Sequence, residues 1–310
     1  PCDYDLCPDC YRLAASGEAA KRSYPQPPQD KRTPSERQEA HRPKGLEKPQ
    51  GVSVHFLVNQ FDRILRKTFR AQYNDSTTFA DLRVLIWGSG KPGVESVDLF
   101  GHVTMRNDRN GENGVSLCEA IAEQSSEDVS DANLFISWTW RYTVKKFLEA
   151  LRDYCLVNKL DMTKTFAWVC FFCNNQFLWL SGERQDGVET FGENVAKIGR
   201  VVCILDSFDA KTALYFSRLW TVYEVFIACT IGVEIDFKLM GGAEEDLEEV
   251  KVKELKAMIQ VDIMKADASD PRDIENIHAV ILASEGGAAG VNAKVAELFV
   301  KMIGQFLLGM

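Results

Sequence analysis

One carboxylate, Glu224, interrupts a nearly uncharged segment that runs from residue 219 to residue 230. At helical spacing this segment has an apolar stripe, formed by Leu219, Val222, Tyr223, Phe226 and Ile227. Burying a carboxylate is costly unless the group is paired or performs a function. Two interpretations follow: a solvated or first-turn Glu on an amphipathic helix, or a carboxylate at the edge of a ligand cleft.

Three thiols open the chain. Cys2, Cys7 and Cys10 are spaced as C-x4-C-x2-C, and zinc takes four tetrahedral ligands, two of which a C-x2-C turn can supply. The segment Cys-Asp-Tyr-Asp-Leu-Cys-Pro-Asp-Cys-Tyr resembles the C-terminal half of a ZZ-type zinc finger. That resemblance implies that Cys7 and Cys10 share one Zn²⁺ with an upstream pair and that Cys2 belongs to the other pair. Since residue 1 is Pro, we expect further residues upstream. Three unrelated surface cysteines are the alternative.

The second half of the chain alternates short apolar segments with amphipathic ones. Residues 134–137, 166–172, 201–205 and 233–237 are predicted strands, and residues 144–157, 191–198 and 217–230 are predicted helices. Apolar strands that alternate with helices predict an α/β domain, with a parallel sheet covered by helices on both faces.

Ligands of such sheets bind at the carboxyl ends of the strands. Polar and aromatic residues expected at that edge are Ser137, Trp138, Arg141, Asn174, Asn175, Gln176, Asp206 and Ser207. Trp138 and Trp140 could form the walls of a ligand site, with Arg141 as a cation for a phosphate. The alternatives are packing of the Trp pair under the sheet edge, and turns or caps formed by the amides and Asp206.

Two stretches carry a resemblance to a known family. Phe-Ile-Ser-Trp-Thr-Trp-Arg (135–141) and Ser-Arg-Leu-Trp-Thr-Val-Tyr-Glu-Val-Phe (217–226) resemble a divergent TIR (Toll/interleukin-1 receptor) domain spanning residues 131–310. The resemblance implies a flavodoxin-like fold. It also implies that Glu224 matches the catalytic carboxylate of TIR domains that cleave NAD, with Ser137, Trp138, Trp140 and Arg141 binding the substrate. Loss of nicotinamide passes through an oxocarbenium-like state, which one carboxylate can stabilise.

The loop after the first TIR-like strand differs from the family. Residues 137–141 stand where a Ser-x-Arg-Gly-x-Asp pattern is common, and residues 174–187 carry no family signature. Many TIR domains are adaptors that self-associate. The sequence therefore favours an intracellular signalling or scaffold protein that binds protein partners and its own copies. A NAD glycohydrolase that uses Glu224 is the alternative.

The regions before and after complete the predicted organisation. Residues 1–12 are a zinc-finger remnant, and residues 13–51, rich in Pro and charge, are a disordered linker. Residues 52–130 form a small α+β module, with strands at 52–58 and 64–73 and a helix at 77–86, in an order similar to the ubiquitin-like β-grasp. In the tail, an acidic helix at 244–259, a helix after Asp270-Pro271 and a last helix at 291–306 are expected.

Composition narrows the class of protein. A net charge of −9 makes nucleic acid an unlikely partner. The longest apolar runs, residues 166–173 and 201–205, are too short to cross a bilayer. Nine Cys without regular spacing argue against a disulfide framework and favour a reducing, cytoplasmic location. Cys170 and Cys173 have redox-motif spacing, but their apolar surroundings indicate core residues.

Overall fold

The structure is a computed structural model, and it describes residues 48–88, 97, 99, 114–181, 188–207, 209, 212–241 and 261–309. Cys2, Cys7 and Cys10 lie outside the described residues. So do residues 13–47 of the predicted linker and the acidic helix predicted at 244–259.

Six strands form one mixed sheet: β1 (Gln50–Ser53), β2 (Val129–Asp131), β3 (Leu134–Ser137), β4 (Phe166–Trp168), β5 (Arg200–Leu205) and β6 (Glu234–Leu239). Their spatial order is β2-β1-β4-β3-β5-β6. β3 pairs in parallel with β4 and β5, and β5 with β6, whereas β1 is antiparallel to β2 and β4. The prediction of a mainly parallel α/β sheet is therefore confirmed. The order of the four parallel strands is compatible with a flavodoxin-like fold.

The helices are α1 (Val54–Phe56), α2 (Asp62–Phe69), α3 (Phe79–Trp87), α4 (Leu117–Gln124), α5 (Val144–Val157), α6 (Cys170–Cys173), α7 (Gln176–Ser181), α8 (Val188–Ile198), α9 (Leu219–Ile231), α10 (Pro271–Ala283) and α11 (Gly287–Gly309). A π-helical turn, Leu57–Phe61, joins α1 to α2. α10 begins with Asp270 as N-cap and Pro271 at its first turn, as the sequence predicts.

Two apolar layers cover the two faces of the sheet. Along β3, Leu134 and Ile136 belong to a cluster with residues of α1 to α6, whereas Phe135 belongs to a cluster with residues of α8 to α11. Side chains on a strand alternate between faces, so Ser137 points to the same side as Phe135. Ser137 is therefore directed towards the layer that contains α9.

The two strands predicted at 52–58 and 64–73 are largely wrong. The strand β1 ends at Ser53, whose hydroxyl accepts the Phe56 N–H at 3.0 Å and starts a helix. The second segment forms α2, because Phe61, Leu65 and Phe69 recur every four residues and are buried on one side. The likeness of residues 52–130 to a β-grasp module stays a prediction, without the second strand on which it depends.

β1 joins the first part of the chain to the main sheet. Gln50 and Gly51, which the sequence assigns to the linker, belong to this strand. Val52 pairs with Val129 on one side and with Ala167 on the other. A Cβ on Gly51 would lie 2.9 Å from the backbone of Ala167, so this close approach of two strands requires glycine.

A third difference concerns residues 166–172. β4 covers only Phe166–Trp168, and Cys170–Cys173 form the short helix α6. Phe171 and Phe172 are both fully buried, and a run that is apolar at every position does not distinguish a strand from a buried helical turn.

Within the described residues, no helix combines the length and apolar character that crossing a bilayer requires.

Candidate functional site

The topology of the sheet indicates where a ligand would bind. From β3 the chain first moves to β4 on one side and then crosses to β5 on the other side. In open α/β sheets, ligands bind outside the carboxyl ends of the strands at such a switch point. Ser137 is the last residue of β3, and Asp206 directly follows β5. The two residues therefore lie at the predicted ligand edge.

Glu224 lies on the second turn of α9, against the same edge. α9 begins after Arg218, and its apolar residues pack beneath the sheet. Glu224 is only 8 % exposed, and within the described part of the chain its Oε2 has no hydrogen-bond partner. Arg218 donates instead to Ser269 Oγ at 2.8 Å. The interpretation of Glu224 as a solvated residue is thus wrong. Its carboxyl group is buried without an ion pair among the described residues.

Burial dominates the electrostatics of Glu224. It raises the pKa of Glu224 from 4.5 to about 8, while the Ser137 hydroxyl favours the charged form and opposes this rise. The neighbouring thiols respond as well: burial, with a contribution from the Glu224 charge, raises the pKa of Cys170 to about 12 and that of Cys203 further. At neutral pH the carboxyl group is therefore mainly protonated in this closed site.

Tyr215 completes the site and has no signal in the sequence. Its hydroxyl and Ser137 Oγ lie 2.5 Å apart, and both residues are fully buried. The loop before α9 carries Tyr215, and Asp206 holds this loop by accepting the N–H groups of Leu214 (2.9 Å) and Tyr215 (3.2 Å). Asp206 thus acts as a loop cap, which is the simpler of its two interpretations.

The two tryptophans lie in the core beside the site. Trp138 is 4 % exposed and packs against Phe79 (4.4 Å between ring centroids) and Phe147 (4.7 Å). Trp140 is half-buried, and its Nε1 donates to Cys170 Sγ at 3.4 Å. Trp138 therefore packs under the sheet edge, whereas Trp140 is joined to the surroundings of Glu224 through Cys170.

The remaining polar and aromatic candidates from the sequence lie in turns or join neighbouring elements. Arg141 is half-buried in the turn before α5. Asn175 Nδ2 donates to Gly114 O (2.9 Å), and Gln176 Nε2 donates to Cys170 O (3.0 Å). These two amides therefore support the turns around α6, at the same strand edge. Trp220, on α9, donates through Nε1 to Asp273 Oδ2 at 2.8 Å and binds α9 to α10.

Two further observations concern metal binding at the site and the similarity of the chain to known proteins. Across the described ranges, no group of three or more His, Cys, Asp or Glu side chains is arranged to hold a metal ion. Comparisons with protein-family models, with curated proteins and with solved structures found no match to this chain.

Proposed function

We propose that residues 131–310 form a TIR-like domain that cleaves NAD, releasing nicotinamide, with Glu224 as the catalytic carboxylate. The observation that carries the proposal is the buried Glu224 carboxyl group, which has an unpartnered Oε2 and a pKa raised to about 8, at the switch point of a parallel sheet. Ionisable groups whose pKa values are strongly perturbed cluster at functional sites.

The chemistry requires an ionised carboxylate. The nicotinamide ring of NAD carries a positive charge, and a positive charge near Glu224 favours loss of its proton. The carboxylate would then hold ribose hydroxyls and stabilise the oxocarbenium-like transition state. Ser137 supports this role because its hydroxyl already favours the charged form of Glu224. Trp140 and Arg141 remain candidates for contacts with the substrate.

Closure of the site favours a second function. Ser137, Tyr215 and Trp138 are each less than 5 % exposed, so substrate entry requires a rearrangement. We therefore keep a signalling or scaffold protein, acting through self-association and protein partners, as the second candidate. The ZZ-like finger at Cys2, Cys7 and Cys10, the ubiquitin-like module and a cytoplasmic location belong to both proposals.

The test is nicotinamide release from NAD by the purified chain, over a range of protein concentrations and with a crowding agent. We expect turnover that Glu224→Ala abolishes and that the surface variant Glu193→Gln retains. Because the ionised form reacts, kcat/KM should rise with pH through about 8. Turnover that survives in Glu224→Ala would refute the assignment of Glu224 as the catalytic carboxylate. No turnover, together with concentration-dependent oligomers in light scattering, would support the scaffold.

A further inference from the structure

Arg83, on α3, is a buried cation outside the Glu224 site. It is 5 % exposed, and its Nε–H has no hydrogen-bond partner. Among the described residues, no carboxylate forms an ion pair with its guanidinium group. A buried carboxyl group such as Glu224 can hold a proton and become neutral, whereas an arginine in a protein stays charged. The charge of Arg83 therefore requires an anion.

The guanidinium group leaves α3 on its buried side. Phe79, Arg83 and Trp87 follow one another at intervals of four residues, so they share one face of the helix. The Phe79 and Trp87 rings both contact Phe171, at 5.0 and 5.1 Å between ring centroids. Val84, on the other side of the helix, is exposed. Arg83 thus occupies a position at which the pattern of α3 calls for an apolar residue.

Trp87 carries a second N–H donor on this face. It is 3 % exposed, and its Nε1 has no hydrogen-bond partner. Residues four apart on a helix have Cβ atoms about 5–6 Å apart, so Arg83 and Trp87 are neighbours. Buried donors are nearly always hydrogen-bonded in folded proteins. Two adjacent donors of this kind point to one acceptor that serves both.

The acids closest to Arg83 along the chain are engaged elsewhere. Asp81 Oδ2 accepts the N–H (3.0 Å) and the hydroxyl (2.7 Å) of Thr78 in the capping box of α3, and Asp81 is exposed on the side of the helix away from Arg83. Asp75 pairs with Lys145 at 2.7 Å. The dipole of α3 favours a cation near its C-terminal end, but this effect is much smaller than the cost of burying an ion.

We propose that Arg83 and Trp87 bind an oxyanion, the phosphate or carboxylate group of a small molecule. The Nε–H and one Nη–H of a guanidinium group form a planar fork that fits two oxygens of either group. The Trp87 Nε1–H donates to the same group. Because Val84, next to Arg83, is exposed, the site lies close to the surface and the anion can enter without unfolding of α3. This proposal does not depend on Glu224 or on NAD cleavage.

The test is a titration of the full chain with inorganic phosphate and with acetate, followed through the indole N–H signals of its six ¹⁵N-labelled tryptophans. The chain is first dialysed against Hepes buffer with chloride as the only inorganic anion. We expect the Trp87 signal, assigned by its loss in Trp87→Phe, to move downfield and saturate with at least one of the two anions. The Trp220 signal should not move, because its N–H is donated to Asp273 at 2.8 Å.

Variants of Arg83 show whether the guanidinium group holds the anion. Arg83→Gln should weaken binding by at least about tenfold, since hydrogen bonds from a charged group are lost. Arg152→Gln is the matched control, because Arg152 is an exposed arginine on α5, and it should bind like the unaltered chain. The anion at about a hundred times its Kd should raise the thermal midpoint of the unaltered chain and of Arg152→Gln by about 5 °C. The midpoint of Arg83→Gln should not change.

Arg83→Met covers the case in which Arg83→Gln does not fold, because an unbranched apolar side chain suits the buried face of α3. Without added oxyanion, Arg83→Met should have a higher thermal midpoint than the unaltered chain, since it removes an unpaired buried charge. A response that persists in Arg83→Met, or that sodium chloride at equal ionic strength reproduces, would overturn the proposal. So would a Trp87 signal that neither anion moves. A lower midpoint of Arg83→Met would then assign to Arg83 an acidic partner in the chain itself.

Discussion

At the scale of single residues, the free energy of holding Glu224 in an apolar environment depends on pH. The pKa of Glu224 is about 8 in the folded protein, and its ordinary value is 4.5. Between these values the folded protein holds a proton that the unfolded chain releases. The contribution of Glu224 to the stability of the fold therefore decreases as the pH rises from about 4.5 to about 8 and is constant above that range.

Glu224→Gln should remove this dependence, because an amide of the same shape never becomes charged. We expect the variant and the unaltered chain to have similar free energies of unfolding near pH 4.5. At about pH 9 the variant should be more stable, by an amount on the order of a few kcal/mol. Urea unfolding at several pH values measures this difference. Glu193→Gln is the matched control, since Glu193 is exposed on α8. Parallel pH curves for Glu224→Gln and the unaltered chain would contradict the buried, raised pKa.

The loop between β5 and α9 is the element that delivers Tyr215 to the site. Asp206 accepts two backbone N–H groups of this loop and also the Tyr142 hydroxyl at 3.0 Å. Asp206→Ala should therefore lower the free energy of unfolding by about 2 to 4 kcal/mol, because two backbone N–H groups of the loop lose their acceptor and the Tyr142 hydroxyl keeps only Ile204 O. Hydrogen exchange at the Leu214 and Tyr215 amides should speed up by a larger factor than elsewhere.

Ser207→Ala is the control for this prediction. Ser207 lies next to Asp206 and accepts one N–H, that of Asp209, at 3.1 Å. Its loss should cost about 0.5 to 1 kcal/mol. Equal effects of the two variants would mean that Asp206 does not fix the loop.

The elements also mark how far a sequence can predict this fold. α5 has the predicted bounds because apolar residues recur at helical spacing and Thr143 precedes them as N-cap. The parallel strands β3, β5 and β6 follow from short apolar runs between helices. Residues 64–73, by contrast, were predicted wrongly as a strand. Their apolar residues fit the period of a strand as well as that of a helix, and the packing of Phe61 and Leu65 in the core selects the helix.

The candidate site was predictable only in part. The strand that ends at Ser137 and the helix that carries Glu224 can both be recognised from their residue patterns. Tyr215 could not be predicted, since it lies in a loop without periodicity whose path depends on contacts with Asp206. Trp138 has an aromatic side chain of the kind that can form the wall of a ligand site. Its position in the core, however, depends on Phe79, which comes from a distant part of the chain.

At the scale of the whole molecule, the sequence suggests a boundary between residues 130 and 131, yet the sheet crosses it. β1 lies between β2 and β4, and one apolar cluster includes Val52 and Phe79 together with Phe147 and Ile204. We therefore expect the described residues to unfold as one cooperative unit rather than as two domains.

Gly51→Ala tests this unity in the full chain. The new Cβ would lie 2.9 Å from the Ala167 backbone, so β1 and β4 must separate. We expect a loss of about 1 to 3 kcal/mol. If the molecule is one unit, hydrogen exchange during urea unfolding should reveal the same loss at α3, before the suggested boundary, and at α9, far beyond it.

Gly192→Ala is the matched control, because Gly192 lies within α8 and a Cβ there meets Ile227 at an ordinary 3.6 Å. This change should stabilise the fold by about 0.4 to 1 kcal/mol. If Gly51→Ala weakened only α3 and left α9 with its original protection, the two halves would unfold separately. β1 would then be a strand that docks on a self-sufficient unit formed by later residues, and the site at Glu224 would not depend on the residues before 131.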